Sequence, residues 1–150
     1  MSRYTSNLHQ IVYSTKYRTP CLHKEMRTKM FKAIWGLLQN KKCHLYRING
    51  VEDHIHILLN VHPTIALSNL VKDIKLASTD LIKSENLITN FSGWQIGYGS
   101  FTYNIKEKNR LIEYIKNQEE HHKKVSFKEE YITLLKEHNI EFEEKYLFED

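Results

Sequence analysis

Residues 51–61 read VEDHIHILLNV, a short apolar stretch with two histidines near its centre. Successive side chains of a β-strand point to opposite faces of a sheet, so His54 and His56 leave one face while Ile55 and Ile57 leave the other. The isoleucines therefore predict a buried face. The two imidazoles predict a candidate site for a divalent cation on the opposite face, provided that a third ligand comes from elsewhere in the chain.

The composition is that of an ordinary globular protein. The 150 residues suffice for one domain with a proper core, since 41% are hydrophobic and 27% are charged. No apolar run approaches the roughly 18 residues that cross a membrane, and the first residues are not typical of a signal peptide. We therefore expect a cytoplasmic protein, in which the isolated Cys21 and Cys43 stay reduced.

The formal net charge of +4 hides an uneven distribution along the chain. Residues 126–150 carry eight acidic side chains against three lysines, a net charge of −5, so residues 1–125 carry +9. A basic body of this kind suits a polyanionic partner such as nucleic acid. A solvated, lysine-rich surface explains the charge equally well.

The predicted elements follow the order strand, helix, strand, strand, helix, strand. The strands are predicted at residues 7–14, 43–48, 51–61 and 94–103, and the helices at 24–40 and 67–84. Asn49-Gly50 predicts a hairpin turn between the second and third strands. This order is that of a ferredoxin-like α+β fold, a four-stranded antiparallel sheet with two helices on one face. The other face is then predicted to be free for a ligand.

Two further helices are predicted after the sheet, at 106–123 and 126–138. The second opens with a capping-box pattern from Ser126 to Glu129, and residues 140–148 are predicted to form a short strand or an extended tail. We expect a single domain over 1–150. Its parts are a core at about 7–104, a tyrosine-bearing helix at about 106–123, and a C-terminal helix with an acidic tail at 126–150.

The helix at 106–123 carries a polar stripe. Tyr114 and Gln118 are four residues apart and so lie one turn apart on the same face, and Asn117 and His121 extend the stripe. A phenol beside an amide oxygen is a candidate pair of nucleophile and metal ligand. If this helix lies against the histidine strand, Gln118 completes three protein ligands and Tyr114 faces whatever group the metal polarises.

Four stretches then stand in order along the chain. They are TKYR at 15–18, DHIH at 53–56, WQIGYGSF at 94–101, and YIKNQ at 114–118 with two histidines at 121 and 122. With these motifs at this spacing, the chain resembles the single-tyrosine HUH transposases of the IS200/IS605 type, including their relatives associated with repetitive palindromes.

The resemblance implies the ferredoxin-like fold, with His54, His56 and Gln118 as metal ligands and Tyr114 as the nucleophile. It implies a transposase that cleaves and rejoins hairpin-bearing single-stranded DNA through a 5′-phosphotyrosine intermediate, with Mg²⁺ or Mn²⁺ as the cofactor and a homodimer as the working form. Because the phosphotyrosine bond conserves the energy of the phosphodiester, no nucleotide cofactor is expected.

Lys16, Arg18 and Lys75 are predicted to contact DNA phosphates, since a loop beside the free sheet face and a basic helix face suit that role. Plain solvated charges are the alternative reading. For the aromatic residues of 94–101, core packing is favoured over base stacking. Two other functions stay open at this point: a catalytically idle single-stranded nucleic-acid binder, and an HUH nickase of the replication or conjugation type.

Overall fold

The computed structural model describes residues 2–148 and confirms the α+β fold. The strands β1 (Leu8–Ser14), β2 (His44–Gly50), β3 (His54–Asn60) and β4 (Gly99–Thr102) form one antiparallel sheet in the order β2-β3-β1-β4. Met1, Glu149 and Asp150, at the ends of the predicted domain and its acidic tail, lie outside the described residues. Within 2–148, no helix is both long and apolar enough to span a membrane.

The main core lies between the sheet and the helices α1 (Lys24–Asn40) and α2 (Leu67–Ser84). Ile55 and Ile57 of β3 are fully buried there, among side chains that include Ile34 of α1 and Ile74 of α2. Each such side chain stabilises the fold by roughly 1.5–3 kcal/mol relative to exposure. The isoleucines of the histidine strand therefore point in the predicted direction.

The prediction of a free second sheet face is wrong. That face is covered by α3 (Lys108–Lys116), α4 (Gln118–His121) and α5 (Phe127–Glu137), through two further apolar clusters. One cluster joins Leu8 and Leu58 of the sheet to α3, and the other joins Val12 and Phe101 to α5. Apolar side chains therefore surround the histidines on this face, and such a surface requires a covering layer.

The hairpin turn is not at Asn49-Gly50, which instead form the end of β2. The chain reverses at 51–53, where the Val51 N–H donates to the carbonyl oxygen of His54 at 3.1 Å. Gly50 pairs with Ile55, and a Cβ atom on Gly50 would lie only 2.4 Å from the His54 carbonyl oxygen. The glycine is required for a close approach of two backbones rather than for a turn.

Two other predicted elements are shorter than expected. β4 begins at Gly99 rather than at residue 94, because the preceding segment turns at Gly97 with a φ of +88°. The helix predicted at 106–123 begins with a 3₁₀ turn (Ile105–Glu107) and breaks at Asn117, which separates α3 from α4. In the region predicted as a strand or tail, a 3₁₀ turn forms at Glu144–Tyr146.

We expect Gly50→Ala to lower the free energy of unfolding by about 2 kcal/mol or more, since the new methyl group meets backbone atoms that cannot move away. The matched control is Gly36→Ala. Gly36 lies inside α1 with no atom within 4 Å of an added Cβ, so alanine there should stabilise the helix by roughly 0.5–1 kcal/mol. Urea unfolding of both variants measures the contrast, and equal effects would contradict it.

Candidate active site and metal centre

The two histidines of β3 lie side by side beneath the C-terminal helices, and both side chains are fully buried. The Nδ1 atom of His54 is 2.7 Å from Asp53 Oδ1, and that of His56 is 2.7 Å from Gln10 Oε1. Gln10 uses its amide nitrogen to donate to the Tyr103 hydroxyl, which leaves its oxygen free to accept from His56. Both Nδ1 atoms therefore act as donors, and each ring in its neutral form presents the lone pair of Nε2 to the site.

Gln118 is also fully buried and lies beside these rings. Its Oε1 atom is 3.2 Å from His54 Nε2, while its amide nitrogen donates to Glu130 Oε2 at 3.1 Å. The structure thus brings together His54, His56 and Gln118. A nitrogen lone pair and an amide oxygen that face each other repel unless a cation lies near both, so this donor set fits a divalent metal ion.

Tyr114 approaches the same place from α3. Its hydroxyl donates a hydrogen bond to Glu130 Oε2, and its ring centre lies 5.9 Å from that of His56. Burial, and then the negative charge of Glu130, raise the pKa of Tyr114 above its ordinary value near 10. In this arrangement the phenol is held in its neutral form.

Glu130 of α5, which the sequence analysis missed, lies at the centre of the site. Its Oε1 atom is 2.9 Å from His56 Nε2, 3.0 Å from His122 Nε2 and 3.2 Å from His54 Nε2. Burial alone would raise the pKa of this carboxyl, but the neighbouring imidazoles, in their protonated form, outweigh burial and lower it well below its usual range. Glu130 falls on the apolar face of α5, between Phe127 and Leu134, and this placement is the signal that could have revealed it.

Both histidines that follow Gln118 also join the site. The ring of His122 packs 4.4 Å from the ring of His54, and Nε2 of His121 lies 3.4 Å from Glu130 Oε2. The potential ligand atoms of His54, His56, His122 and Glu130 all lie within 4.8 Å of one another. This part of the chain therefore supplies more candidate ligands than the sequence pattern indicated.

The residues predicted to bind DNA lie apart from this cluster. The charged groups of Lys16 and Arg18 lie over the rings of Tyr17 and Phe148, at 5.4 and 4.3 Å. Lys75, on the other side of the sheet, donates to the carbonyl oxygens of Gln95 and Gly97 at 2.8 and 2.6 Å. Phosphate contact by these three side chains stays a prediction.

Core packing is confirmed for two of the three aromatic residues in the segment 94–101. Trp94 and Phe101 are buried, and Trp94 packs edge-on against Tyr13 with ring centres 5.4 Å apart. Tyr98 is partly buried against the main core.

Known proteins resemble this chain in sequence and in fold. Residues 3–118 match the sequence model of the family described as "Transposase IS200 like". A candidate transposase from Deinococcus radiodurans R1 superposes with a TM-score of 0.61 at 20% identity, over 79% of this chain and 95% of that chain. A REP-associated tyrosine transposase bound to a REP hairpin superposes with a TM-score of 0.63 at 16% identity, over 83% of this chain and 76% of that chain. No curated protein sequence matches. The structural matches show a shared fold.

The burial of Lys75 can be tested through the pH dependence of the free energy of unfolding. Burial lowers its pKa from 10.5 to about 8 in the folded protein, so between these values the unfolded chain holds a proton that the folded chain has released. Stability contributed by this group must then rise with pH through that window. As the pH rises from about 8 to 10.5, the free energy of unfolding of the wild type should increase by about 1 kcal/mol relative to that of Lys75→Met, measured by urea unfolding. This figure is reduced because solvent partly screens the side chain. A constant difference would contradict the burial argument.

Proposed function

The chain belongs to the IS200-like transposase family, and on that premise we propose that it cleaves and rejoins single-stranded DNA through a covalent bond to Tyr114. The observation that carries the proposal is the convergence of the Tyr114 hydroxyl, Gln118 and the two strand histidines within one chain. These side chains come from β3, α3 and α4, and a protein that only bound nucleic acid would not require them to meet.

In the proposed reaction, the Tyr114 oxygen forms a bond to a DNA phosphorus while the bond to the 3′-oxygen breaks. The protein keeps a 5′-phosphotyrosine, and the other strand leaves with a protonated 3′-OH. The phenol passes its proton to Glu130 Oε2, the oxygen that its hydroxyl already contacts, and this proton is then available to the 3′-oxygen that leaves. Attack by a 3′-OH on the phosphotyrosine reverses these steps and rejoins DNA without a nucleotide cofactor.

His54, His56 and Gln118 are the residues proposed to hold the metal, Mg²⁺ or Mn²⁺. When bound, the ion would withdraw negative charge from a phosphate oxygen and so ease attack by the phenol. The chain contributes the orientation of the ligands, since Asp53 and Gln10 fix the two rings through their Nδ1 atoms.

The proposed substrate is single-stranded DNA that carries hairpins, and the proposed working form is a homodimer. The net charge of +9 on residues 1–125 supports a polyanionic partner, and one structural relative is described as bound to a REP hairpin. A cleft of about 560 Å³ beside the site has the basic Lys24, Arg27 and Lys123 in its lining, together with the acidic Glu52, Asp53 and Glu119. This cleft is the proposed approach for the DNA backbone.

We expect wild-type protein, incubated with hairpin-bearing single strands and Mn²⁺, to form a covalent protein–DNA adduct that survives denaturing electrophoresis. Tyr114→Phe should form none, because phenylalanine has no oxygen to attack with. Tyr46→Phe is the matched control, since Tyr46 packs on the same apolar cluster as Tyr114. An adduct in Tyr114→Phe would rule out this nucleophile. Absence of any adduct across many candidate DNA ends would favour a binder, and adducts that never rejoin would favour a nickase.

We expect His54→Ala to abolish cleavage while hairpin binding, followed by fluorescence anisotropy, stays largely intact. The reason is that His54 is proposed to hold the metal rather than the DNA. His44→Ala, on an exposed position of the neighbouring strand, is the control and should cleave normally. Equal loss of binding and cleavage in His54→Ala would instead mean that this buried ring has a structural role.

A further inference from the structure

Two side chains of the C-terminal segment, His122 and Glu130, lie at the metal site but are not among the ligands proposed so far. His122 and Glu130 are buried, or nearly so, at the same point as His54 and His56. The arrangement of their atoms, rather than their presence alone, indicates what they do.

His122 is oriented in the same way as the two strand histidines. Its Nδ1 atom lies 2.7 Å from the carbonyl oxygen of Val125, an atom that can only accept a hydrogen bond. The proton of a neutral His122 ring must therefore be on Nδ1, and the lone pair of Nε2 points into the site. Three rings now present lone pairs to one point, each fixed by an oxygen acceptor on its far side, as is usual for metal-bound histidines.

The point that the three lone pairs share is one oxygen of Glu130. The other oxygen, Oε2, receives hydrogen bonds from Tyr114 and Gln118. Oε1 instead lies 2.9–3.2 Å from the Nε2 atoms of His54, His56 and His122. When the three rings are neutral, their nitrogen lone pairs and the carboxylate oxygen repel one another at this separation. A cation among them turns this repulsion into attraction, and ligand atoms of one metal ion are commonly about 3 Å apart.

Building on the proposed function, we infer that His122 and Glu130 are further ligands of the same metal ion, supplied by the segment that covers the sheet. With the amide oxygen of Gln118, three imidazoles and a carboxylate make a donor set of three nitrogen and two oxygen atoms. Such a set favours transition-metal ions over Mg²⁺, which prefers oxygen ligands and keeps several of its waters. The site in this closed arrangement therefore selects Mn²⁺ over Mg²⁺.

Glu130 in this role also connects the metal to the nucleophile. Its Oε1 atom faces the ion site while its Oε2 atom accepts from the Tyr114 hydroxyl. Phe127, one turn before Glu130 on α5, stacks on the ring of His54 with centres 4.2 Å apart and closes the site from the same side.

The test measures metal binding by the full chain without DNA. Metal-stripped protein is titrated with Mn²⁺ by calorimetry and by loss of the free-ion electron paramagnetic resonance signal. We expect Glu130→Gln, which keeps the side-chain shape, to weaken Mn²⁺ binding by about tenfold or more. The control Glu129→Gln, at the neighbouring exposed position, should bind like the wild type. Wild-type protein should bind Mn²⁺ at least about tenfold more tightly than Mg²⁺.

The proposal is overturned if Glu130→Gln binds Mn²⁺ as tightly as the wild type or more tightly, since Glu130 would then compete with the ion rather than hold it. Failure of the wild type to bind Mn²⁺ overturns it as well. If Glu130→Gln does not fold, His122→Gln carries the same expectation. A chain that binds Mn²⁺ through Glu130 but forms no DNA adduct would refute the proposed function alone. Adduct formation with Mn²⁺ binding indifferent to Glu130 would refute this inference alone.

Discussion

The packing of the C-terminal helices on the second face of the sheet depends on the carboxylate of Glu130. A buried carboxylate without partners costs several kcal/mol, and this one has partners from β3, α3, α4 and the turn after α4. The C-terminal segment can therefore pack on the sheet only when the histidines, Gln118 and Tyr114 are in place to receive it. Conversely, those side chains are buried only because the segment covers them. The fold of this segment and the geometry of the site therefore depend on each other.

The sheet and its first two helices could be predicted because their information is local. α1 and α2 begin and end where their apolar spacing indicates, and alternation fixes which face of β3 is buried. The predictions fail where a contact between residues far apart in the sequence determines the local structure. Gly50 looks like a turn residue, yet it is constrained by the backbone of the next strand. The break at Asn117 occurs within an uninterrupted polar stripe, and nothing in the neighbouring residues marks it.

For the candidate site, the sequence indicates four of the seven side chains that the structure brings together. Spacing and a family resemblance point to His54, His56, Gln118 and Tyr114, and their roles stay predictions. Glu130 was missed because a glutamate in a charged helix is normally solvated, and His122 was left without a definite role. The apolar face of α5 shows that Glu130 points inward, but not which side chains it meets. The contacts of Glu130 and His122 with the strand histidines come from the packing of the C-terminal segment on the sheet.

One contact outside the site attaches α3, the helix that bears Tyr114, to the edge of the sheet. The side-chain amide of Asn49, at the end of β2, donates to the carbonyl oxygens of Ile115 and Lys116 at 3.0 and 3.1 Å. These carbonyls belong to the last turn of α3, directly after Tyr114, so the helix is fastened to the sheet edge by an uncharged group. Added electrolyte screens ionic contacts but leaves such bonds nearly unchanged. Changes in ionic strength should accordingly leave this attachment of α3 to the strand edge in place.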